Sequence, residues 1–267
     1  MKCLLVADLH YSLPQFDWVS RSAAAYDVVI LAGDALDLGS DVDYRAQTIV
    51  VRKYLQRVAG VTRLIVCSGN HDLDSVGKAG EKVPRWIEDI RAFNVASDGD
   101  SIVVQDTLFT VCPWWDGPAV RARLAAQLES DSRRRGDLRW VWVHHAPPLN
   151  SPTSWSGSRS LGDADLAQWI SDYGPDLIVA GHIHQSPFVN NGSWVDRVGT
   201  TWVFNMGHEF GALPSYVALD TTANEAVWIS SMGMQIVRLN EPLRRPIPFT
   251  EVLPEWFRGA RTETLQG

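Results

Sequence analysis

The sequence predicts an α/β fold, because short apolar runs rich in β-branched residues alternate with longer segments of helical periodicity. The length supports this, since a chain of 267 residues can bury enough surface for one substantial core without disulfides as staples. The composition agrees, because 45% hydrophobic and 21% charged residues are typical of a globular protein. One main domain is therefore expected.

Six apolar runs are predicted as buried strands: Cys3–Ala7, Val28–Ala32, Leu64–Cys67, Leu108–Cys112, Trp140–Val143 and Leu177–Ala180. Five segments between them have a helical pattern: Phe16–Ala25, Tyr44–Val58, Pro84–Phe93, Ala119–Glu129 and Asp163–Tyr173. The last of these opens with an aspartate, a residue that favours the N-cap of a helix.

After about Trp194 the pattern changes to strands joined by short polar connections, which predicts a second, helix-poor sheet. Its strands are expected at Thr201–Asn205, Ser215–Leu219, Ala226–Ser230 and Met234–Leu239. Residues 240–267 contain four prolines and mixed charge, which indicates an extended arm or a frayed tail. We therefore predict a main domain over residues 1–239 and a proline-rich C-terminal arm or tail over residues 240–267.

The charge balance argues against a nucleic-acid partner, because 24 Lys and Arg stand against 31 Asp and Glu and the net charge is −7. The three cysteines lie in apolar runs and are predicted as buried thiols. No run approaches the roughly 20 apolar residues of a membrane span, and the first apolar run is too short for a signal peptide. We expect a cytoplasmic protein with no membrane partner, of open oligomeric state.

Polar blocks follow five of the predicted strands directly. They are Asp8-Leu9-His10, Gly33-Asp34, Gly69-Asn70-His71-Asp72, His144-His145 and Gly181-His182-Ile183-His184. Because the carboxyl ends of strands in an open α/β sheet lie along one edge, these blocks should converge. Six of the seven histidines belong to them, and this clustering argues against histidines that merely fill the core or surface.

The residue types predict a dinuclear metal centre. Carboxylate, imidazole and amide oxygen, with no thiolate, suit divalent Mn, Fe, Zn or Co better than Mg. Two such ions about 3.5–4 Å apart can hold a phosphoryl group and lower the pKa of a bound water toward roughly 7. Their charge outweighs the carboxylates of Asp8 and Asp34, so the pocket should attract an anionic substrate.

In this order, each after an apolar strand, the five blocks resemble the motifs of the calcineurin-like metallophosphoesterase superfamily, from residue 3 to about residue 210. The resemblance implies a four-layer α/β/β/α sandwich, in which two mixed sheets pack face to face with helices outside. It also implies a metal-dependent hydrolase of phosphoric esters.

The resemblance assigns seven side chains to metal binding. These are, for one ion, Asp8, His10 and His184; for the other, Asn70, His144 and His182; and, as the bridge between them, Asp34.

His71 is expected to stay off the metals. By resemblance it would lie beside the substrate phosphate, stabilise the transition state or protonate the leaving group, and be oriented by the carboxylate of Asp72. Between the neighbours His144 and His145, strand alternation allows only one to face the metals. His144 is preferred because it follows the strand directly, but the choice stays open.

The predicted function is hydrolysis of a small or nucleotide-like phosphomonoester or phosphodiester through attack of a metal-bound hydroxide. A nuclease of the same fold is one alternative, disfavoured by the acidic balance. A metal-free, non-catalytic scaffold is another, disfavoured by the complete set of ligands.

Further residues have open roles. Asp37 can accept a hydrogen bond from a ligand imidazole or serve its own loop. His208 follows a predicted strand where the family has an Asn-Pro-Gly turn near the site, but Met206 replaces the proline, so its place is open. Three tryptophans either wall a cleft or anchor loops: Trp114, Trp115 and Trp155.

Overall fold

A computed structural model describes residues 1–257 of the chain. Within these residues the α-helices are α1 (Leu13–Ser22), α2 (Tyr44–Ala59), α3 (Arg85–Asp89), α4 (Pro118–Arg134) and α5 (Ala164–Tyr173). Short 3₁₀ turns continue α1 and α3, so the predicted helices there end close to where they were expected. The predicted N-cap of α5 is confirmed, because the Asp163 carboxylate accepts a hydrogen bond from the backbone N–H of Leu166 at 2.8 Å.

Every predicted strand is present. The strands of the described chain are β1 (Lys2–Val6), β2 (Val28–Ala32), β3 (Arg63–Cys67), β4 (Ser75–Val76), β5 (Lys82–Val83), β6 (Ala96–Ser97), β7 (Ser101–Val104), β8 (Thr107–Val111), β9 (Arg139–Val143), β10 (Leu177–Ala180), β11 (Val195–Val198), β12 (Thr201–Asn205), β13 (Tyr216–Asp220), β14 (Glu225–Ser230) and β15 (Gly233–Arg238). Strands β4 to β7 and β11 were not predicted, because they are short or partly exposed, unlike the buried strands that apolar runs of four or five residues indicate.

Two mixed sheets carry most of these strands. The first sheet has the order β15-β14-β13-β1-β2-β3-β6, and the second has the order β11-β12-β10-β9-β8-β7. In the second sheet, a parallel centre has antiparallel strands at both edges. In the first sheet, strands β1, β2, β3 and β6 are parallel up to one edge, and antiparallel pairs extend the sheet from β1 to the other edge. Strands β4 and β5 form a separate small hairpin.

Alternating residues of the central strands divide the core into layers. Leu5 on β1 and Val143 on β9 lie in the apolar layer between the two sheets. Leu4 on β1 lies on the opposite face, under α1 and α2, whereas Trp142 on β9 lies under α4 and α5. Because successive side chains of a strand point to opposite faces, the apolar residues of one strand contribute alternately to the layer between the sheets and to the layer under the helices. The predicted four-layer α/β/β/α sandwich is confirmed.

The prediction of a separate helix-poor sheet after Trp194 is wrong. Strands β11 and β12 extend the second sheet beside β10, whereas β13, β14 and β15 extend the first sheet beside β1. The physical reason is that each parallel centre has edges with unpaired backbone N–H and C=O groups. The late strands form hydrogen bonds with these edges. If the late strands formed a separate sheet, the edge groups would stay unpaired.

The described part of the proline-rich segment, residues 240–257, packs on the sandwich as an arm. Leu243 and Ile247 contact the layer between the sheets, and Phe257 is buried beneath the first sheet. The side-chain amide of Gln235 on β15 donates a hydrogen bond to the Ile247 carbonyl at 2.7 Å. The rest of the predicted arm, residues 258–267, lies outside the described residues, and the domain boundary at residue 239 stays a prediction.

The three cysteines are buried, as the sequence predicted. Cys3, Cys67 and Cys112 are buried free thiols, and burial raises the pKa of the Cys3 thiol to about 12, so it is unreactive at neutral pH.

Within residues 1–257, no helix combines the length and the apolar surface needed to cross a membrane.

A carboxylate joins the ends of β3 and β8. Asp98 accepts hydrogen bonds from the backbone N–H of Ser68 at 2.8 Å and from its hydroxyl at 2.6 Å. The Ser68 hydroxyl oxygen accepts in turn from the backbone N–H of Trp114 at 2.9 Å. The chain after β3 is thereby tied to the chain after β8. Burial raises the pKa of the Asp98 carboxyl to about 6.

Replacement of this carboxylate should change the pH dependence of stability. Because the pKa of Asp98 is higher in the folded chain than its ordinary value, folding favours the protonated form, so stability is lost as pH rises from about 4 through about 6. Asp98→Asn should lack this loss, amounting to about 1–2 kcal/mol after allowance for residual solvent screening. Urea unfolding of both proteins in chelator at pH 4, 5, 6 and 7 measures the difference. A constant difference across this range would contradict the assignment.

Candidate metal centre

The site lies where loops from both sheets meet at one edge of the sandwich. Within the first sheet, the backbone N–H of Asp8 after β1 donates a hydrogen bond to the Gly33 carbonyl after β2 at 3.1 Å. Within the second sheet, the N–H of Gly181 after β10 donates to the His145 carbonyl after β9 at 2.8 Å. The N–H of His182 donates across to the Asp8 carboxylate at 3.0 Å. The expected convergence of the polar blocks is therefore present.

Six side chains form the histidine–aspartate cluster of this edge: Asp8, His10, Asp34, His145, His182 and His184. Four of them adopt left-handed backbone angles that non-glycine residues rarely take, with φ of 54° for Asp8, 42° for His10, 52° for Asp34 and 68° for His182. Such conformations persist only where the surroundings hold them, and they concentrate at functional sites.

One group within the cluster comprises Asp8, His10, Asp34 and His184, each with a ligand atom within 4.8 Å of the others. The His184 Nε2 atom lies 3.2 Å from Asp8 Oδ1 and 3.0 Å from His10 Nε2. Three of these residues are the predicted ligands of one metal, and the fourth is the predicted bridge.

A second group comprises Asp34, His145 and His182 under the same distance limit. The Nε2 atom of His145 lies 3.1 Å from Asp34 Oδ2. Asp34 thus belongs to the first and the second group, as a bridging carboxylate must. A third group under the same distance limit comprises His10, Asp37 and His71. The side-chain oxygen of Asn70, the remaining predicted ligand, is buried with no hydrogen-bond partner in the described chain. A buried amide oxygen without a donor is costly, and a cation would satisfy it.

The structure corrects the choice between the two neighbouring histidines, because His145 lies in the cluster and His144 does not. On β9, Val143 faces the opposite sheet and Trp142 faces the outer helices. Continuation of this alternation turns His144 outward, where its ring stacks on Trp115 at 4.7 Å, and turns His145 inward. Alternation alone could not decide, because the sequence does not show which face of β9 lies inside the sandwich.

The imidazole of His145 is oriented by backbone. Its Nδ1 lies 2.8 Å from the Ala32 carbonyl, which can only accept, so Nδ1 carries a proton and Nε2 faces Asp34. Gly33 permits this approach, because a Cβ there would lie 2.4 Å from Nδ1 of His145, and its φ of 87° also favours glycine. Metal-binding histidines typically donate a hydrogen bond from one ring nitrogen to a backbone carbonyl, which orients the other nitrogen toward the metal.

The charges in the cluster suit a cation. Burial alone would raise the pKa of Asp34, but the adjacent His145 holds it well below its ordinary value. Burial lowers the pKa of His10 and of His182 to about 4, so both rings are neutral at pH 7. For His145, the nearby Asp34 and Asp8 outweigh burial and raise the pKa to about 9. A metal ion at its Nε2 would therefore displace a proton.

His71 lies beside the cluster, at a ring distance of 4.7 Å from His10. Its Nδ1 accepts a hydrogen bond from the backbone N–H of Leu38 at 3.2 Å, so the proton of the neutral ring is on Nε2. The Asp37 carboxylate lies 3.9 Å from the same Nδ1. Asp37 thus faces His71, and its carboxylate also lies within 4.8 Å of a ring nitrogen of His10, a predicted metal ligand.

The predicted role of Asp72 is wrong, because its carboxylate does not contact the His71 ring. It accepts hydrogen bonds from the backbone N–H groups of Asp34 at 2.8 Å, Gly69 at 2.9 Å and Leu36 at 3.1 Å. Asp72 is fully buried and joins the loop after β2 to the loop after β3. It positions the predicted bridge through the backbone, while Leu38 and Asp37 face His71.

His208 was left open by the sequence and lies at the cluster. Its Nδ1 is 2.6 Å from the Asp8 carbonyl, and its ring lies 5.2 Å from that of His10 and 4.8 Å from that of His184. The signal that could have placed it is topological. His208 follows β12, which pairs in parallel with β10, the strand that leads to His182 and His184.

The three loop tryptophans differ in position. The Trp114 ring lies 5.0 Å from His182 and 5.6 Å from His145, so it walls the cluster. Trp115 stacks on His144 and supports the loop from outside. The Trp155 carbonyl accepts a hydrogen bond from Ser186, an anchoring contact within the loops.

The fold of TT1561, a solved structure, agrees with this architecture. Among solved structures, TT1561 of Thermus thermophilus aligns with a TM-score of 0.56 and 12% identity, over 90% of this chain and 99% of that one. Yfce, a phosphoesterase from E. coli, aligns with a TM-score of 0.44 and 17% identity, over 90% of this chain and 100% of that one. A search of curated proteins found no match.

The family comparison covers most of the site. The model of the calcineurin-like phosphoesterase family matches residues 1–186, a stretch that includes all six members of the histidine–aspartate cluster. Since this match spans well over half of the sequence, the chain belongs to the calcineurin-like phosphoesterase family.

Proposed function

We propose that the chain is a dinuclear metal-dependent phosphoesterase that hydrolyses a small phosphomonoester or phosphodiester. The observation that carries this proposal is the position of Asp34, whose carboxylate belongs both to the group of potential ligands around Asp8 and to the group around His145. A shared carboxylate holds two cations a few ångströms apart, which is the spacing that phosphoryl transfer in two-metal sites requires.

The donor set fits such ions. Asp8, His10 and His184 would hold one ion, and Asn70, His145 and His182 the other. Carboxylate, imidazole and amide donors without thiolate favour Mn, Fe, Zn or Co over Mg. When bound, the two ions supply a water of lowered pKa and positive charge for the phosphoryl oxygens.

The residues around the cluster have separate tasks. His71 presents an Nε2 proton, because its Nδ1 accepts from the Leu38 N–H, and this proton can be given to the leaving oxygen or to a phosphoryl oxygen. Trp114 excludes water from one side of the cluster, which strengthens its electrostatic interactions. The net charge of −7 favours a small phosphoester over a polynucleotide. In a metal-free scaffold, the buried Asn70 oxygen would lack a partner and cost stability with no benefit, which argues against that alternative.

The number and kind of metal ions test the proposal directly. Purified or reconstituted protein should contain two transition-metal ions per chain, because one shared carboxylate and six further donors make two sites. Chelation should abolish hydrolysis, and Mn should restore it better than Mg. Elemental analysis with hydrolysis of p-nitrophenyl phosphate, its bis ester and cyclic nucleotides makes the measurement. A fully active protein with at most one ion per chain at saturation would exclude the dinuclear centre.

The two adjacent histidines provide a matched pair of variants. His145→Phe removes a nitrogen beside Asp34, so it should lose at least one metal ion and lower kcat by about 10²-fold or more, as expected when a metal ligand and its charge are lost. His144→Phe keeps a ring to stack on Trp115 and should retain both ions and most activity. Metal content and turnover should thus separate the variants. The reverse pattern would restore His144 as the ligand.

His71 should show its role through the leaving group. His71→Asn should leave the metal content unchanged and lower kcat by about 10²- to 10⁴-fold on alkyl or nucleoside esters, the range for loss of a positioned proton donor. The deficit should shrink with p-nitrophenyl esters, because p-nitrophenolate departs without a proton. An equal deficit on both kinds of ester would assign His71 to the phosphoryl oxygens instead, and loss of a metal ion would make it a ligand.

A further inference from the structure

Phe210 is the most exposed large apolar side chain among residues 1–257, with 95% of its surface open to solvent. It lies in the loop between β12 and β13, two residues after His208. Single exposed apolar residues are common on protein surfaces, so the surroundings of this one decide its meaning.

The loop around Phe210 is held in place on both sides. The side-chain amide of Gln15, itself buried, donates hydrogen bonds to the carbonyl of Glu209 at 2.7 Å and to that of Gly211 at 3.2 Å. The Glu209 carboxylate accepts from the backbone N–H of Ser231 at 3.0 Å. Hydrogen bonds on both sides of Phe210 therefore hold the loop in a position that leaves the ring exposed.

Phe210 borders the histidine–aspartate cluster. Its ring lies edge-to-face on His208 with centroids 5.1 Å apart. The His208 ring in turn lies 5.2 Å from His10 and 4.8 Å from His184. A phosphoester held at the cluster would thus have an uncovered aromatic ring one histidine away.

We propose that Phe210 is a specificity-determining residue, on which the organic group of the substrate packs, and that the site prefers esters of planar aromatic groups such as aryl rings or nucleobases. This proposal rests on the phosphoesterase function proposed above. An aromatic ring in solvent gains most from another flat ring, through offset or edge-to-face packing that an alkyl chain cannot match. Trp114 is less suited to this task, because its half-buried ring already packs on His182 and His145.

The test compares Phe210→Ala and Phe210→Leu with the unaltered protein, all loaded with Mn. Two measurements are made: kcat/KM for p-nitrophenyl phosphate and for methyl phosphate, and the Kd of phenylphosphonate and of methylphosphonate by calorimetry. Val103→Ala is the control, because Val103 is an exposed apolar residue of β7, at the edge of the second sheet.

Phe210→Ala should lower kcat/KM for the aryl ester and raise the Kd of phenylphosphonate by about 3- to 10-fold, the size of an aromatic pair contact. Values for the methyl compounds and the metal content should not change. Phe210→Leu should show most of the same loss, because it keeps apolar bulk without the ring, and Val103→Ala should show none.

The outcomes separate the two proposals. Equal effects on aryl and methyl compounds, or no effect in an active protein, would overturn the role of Phe210 and leave the phosphoesterase function standing. Absence of turnover on every ester by the unaltered, Mn-loaded protein would overturn the proposed function, and the role of Phe210 with it.

Discussion

The burial of negative charge where the two sheets meet is the constraint on which the rest of the site depends. Asp8, Asp34 and Asp72 are all buried there, and an isolated buried carboxylate is costly. Burial, with a smaller contribution from the nearby Asp34, raises the pKa of Asp72 to about 8, so a negative charge on Asp72 is costly at this place. Backbone N–H groups and the protonated ring of His145 offset part of this cost. Cations would offset the remainder, so the arrangement favours metal binding over an empty pocket.

The same constraint explains why the loops are fixed so firmly. Asp72 accepts hydrogen bonds from N–H groups of two loops, and the His182 N–H reaches the Asp8 carboxylate from the opposite sheet. The left-handed backbone of Asp8 and Asp34 is strained, and it persists because these bonds hold it. Hydrogen bonds from both sheets thus hold the carboxylates in place, and ligands that the protein holds in place lose little entropy on binding.

Local rules predicted the buried strands and the convergence of the polar blocks, because apolar runs form strands and the polar residues at their ends meet at one sheet edge. The four-layer sandwich and the assignment of metal ligands came from the resemblance to the metallophosphoesterase superfamily. Prediction from the sequence failed for positions that depend on which strands pair with each other. The late strands joined existing sheet edges, and His145 replaced His144 because only the assembled sandwich defines the inner face of β9. His208 was left open for the same reason, since its position follows from the pairing of β12 with β10. The role of Asp72 was carried over from the resemblance to the family, whereas in this chain its carboxylate binds the backbone of two loops.

The site has a buried centre with many backbone contacts and an exposed rim with few contacts. The centre consists of buried carboxylates and imidazoles whose positions are determined by backbone contacts from both sheets, so a change there disturbs several loops at once. The rim consists of loop residues such as Leu38 and Phe210, whose side chains contact mainly solvent. A substitution at the rim costs little stability, because surface positions carry few contacts. Under the proposed function, recognition of the organic group can therefore vary at the rim, while binding of the phosphoryl group stays fixed at the centre.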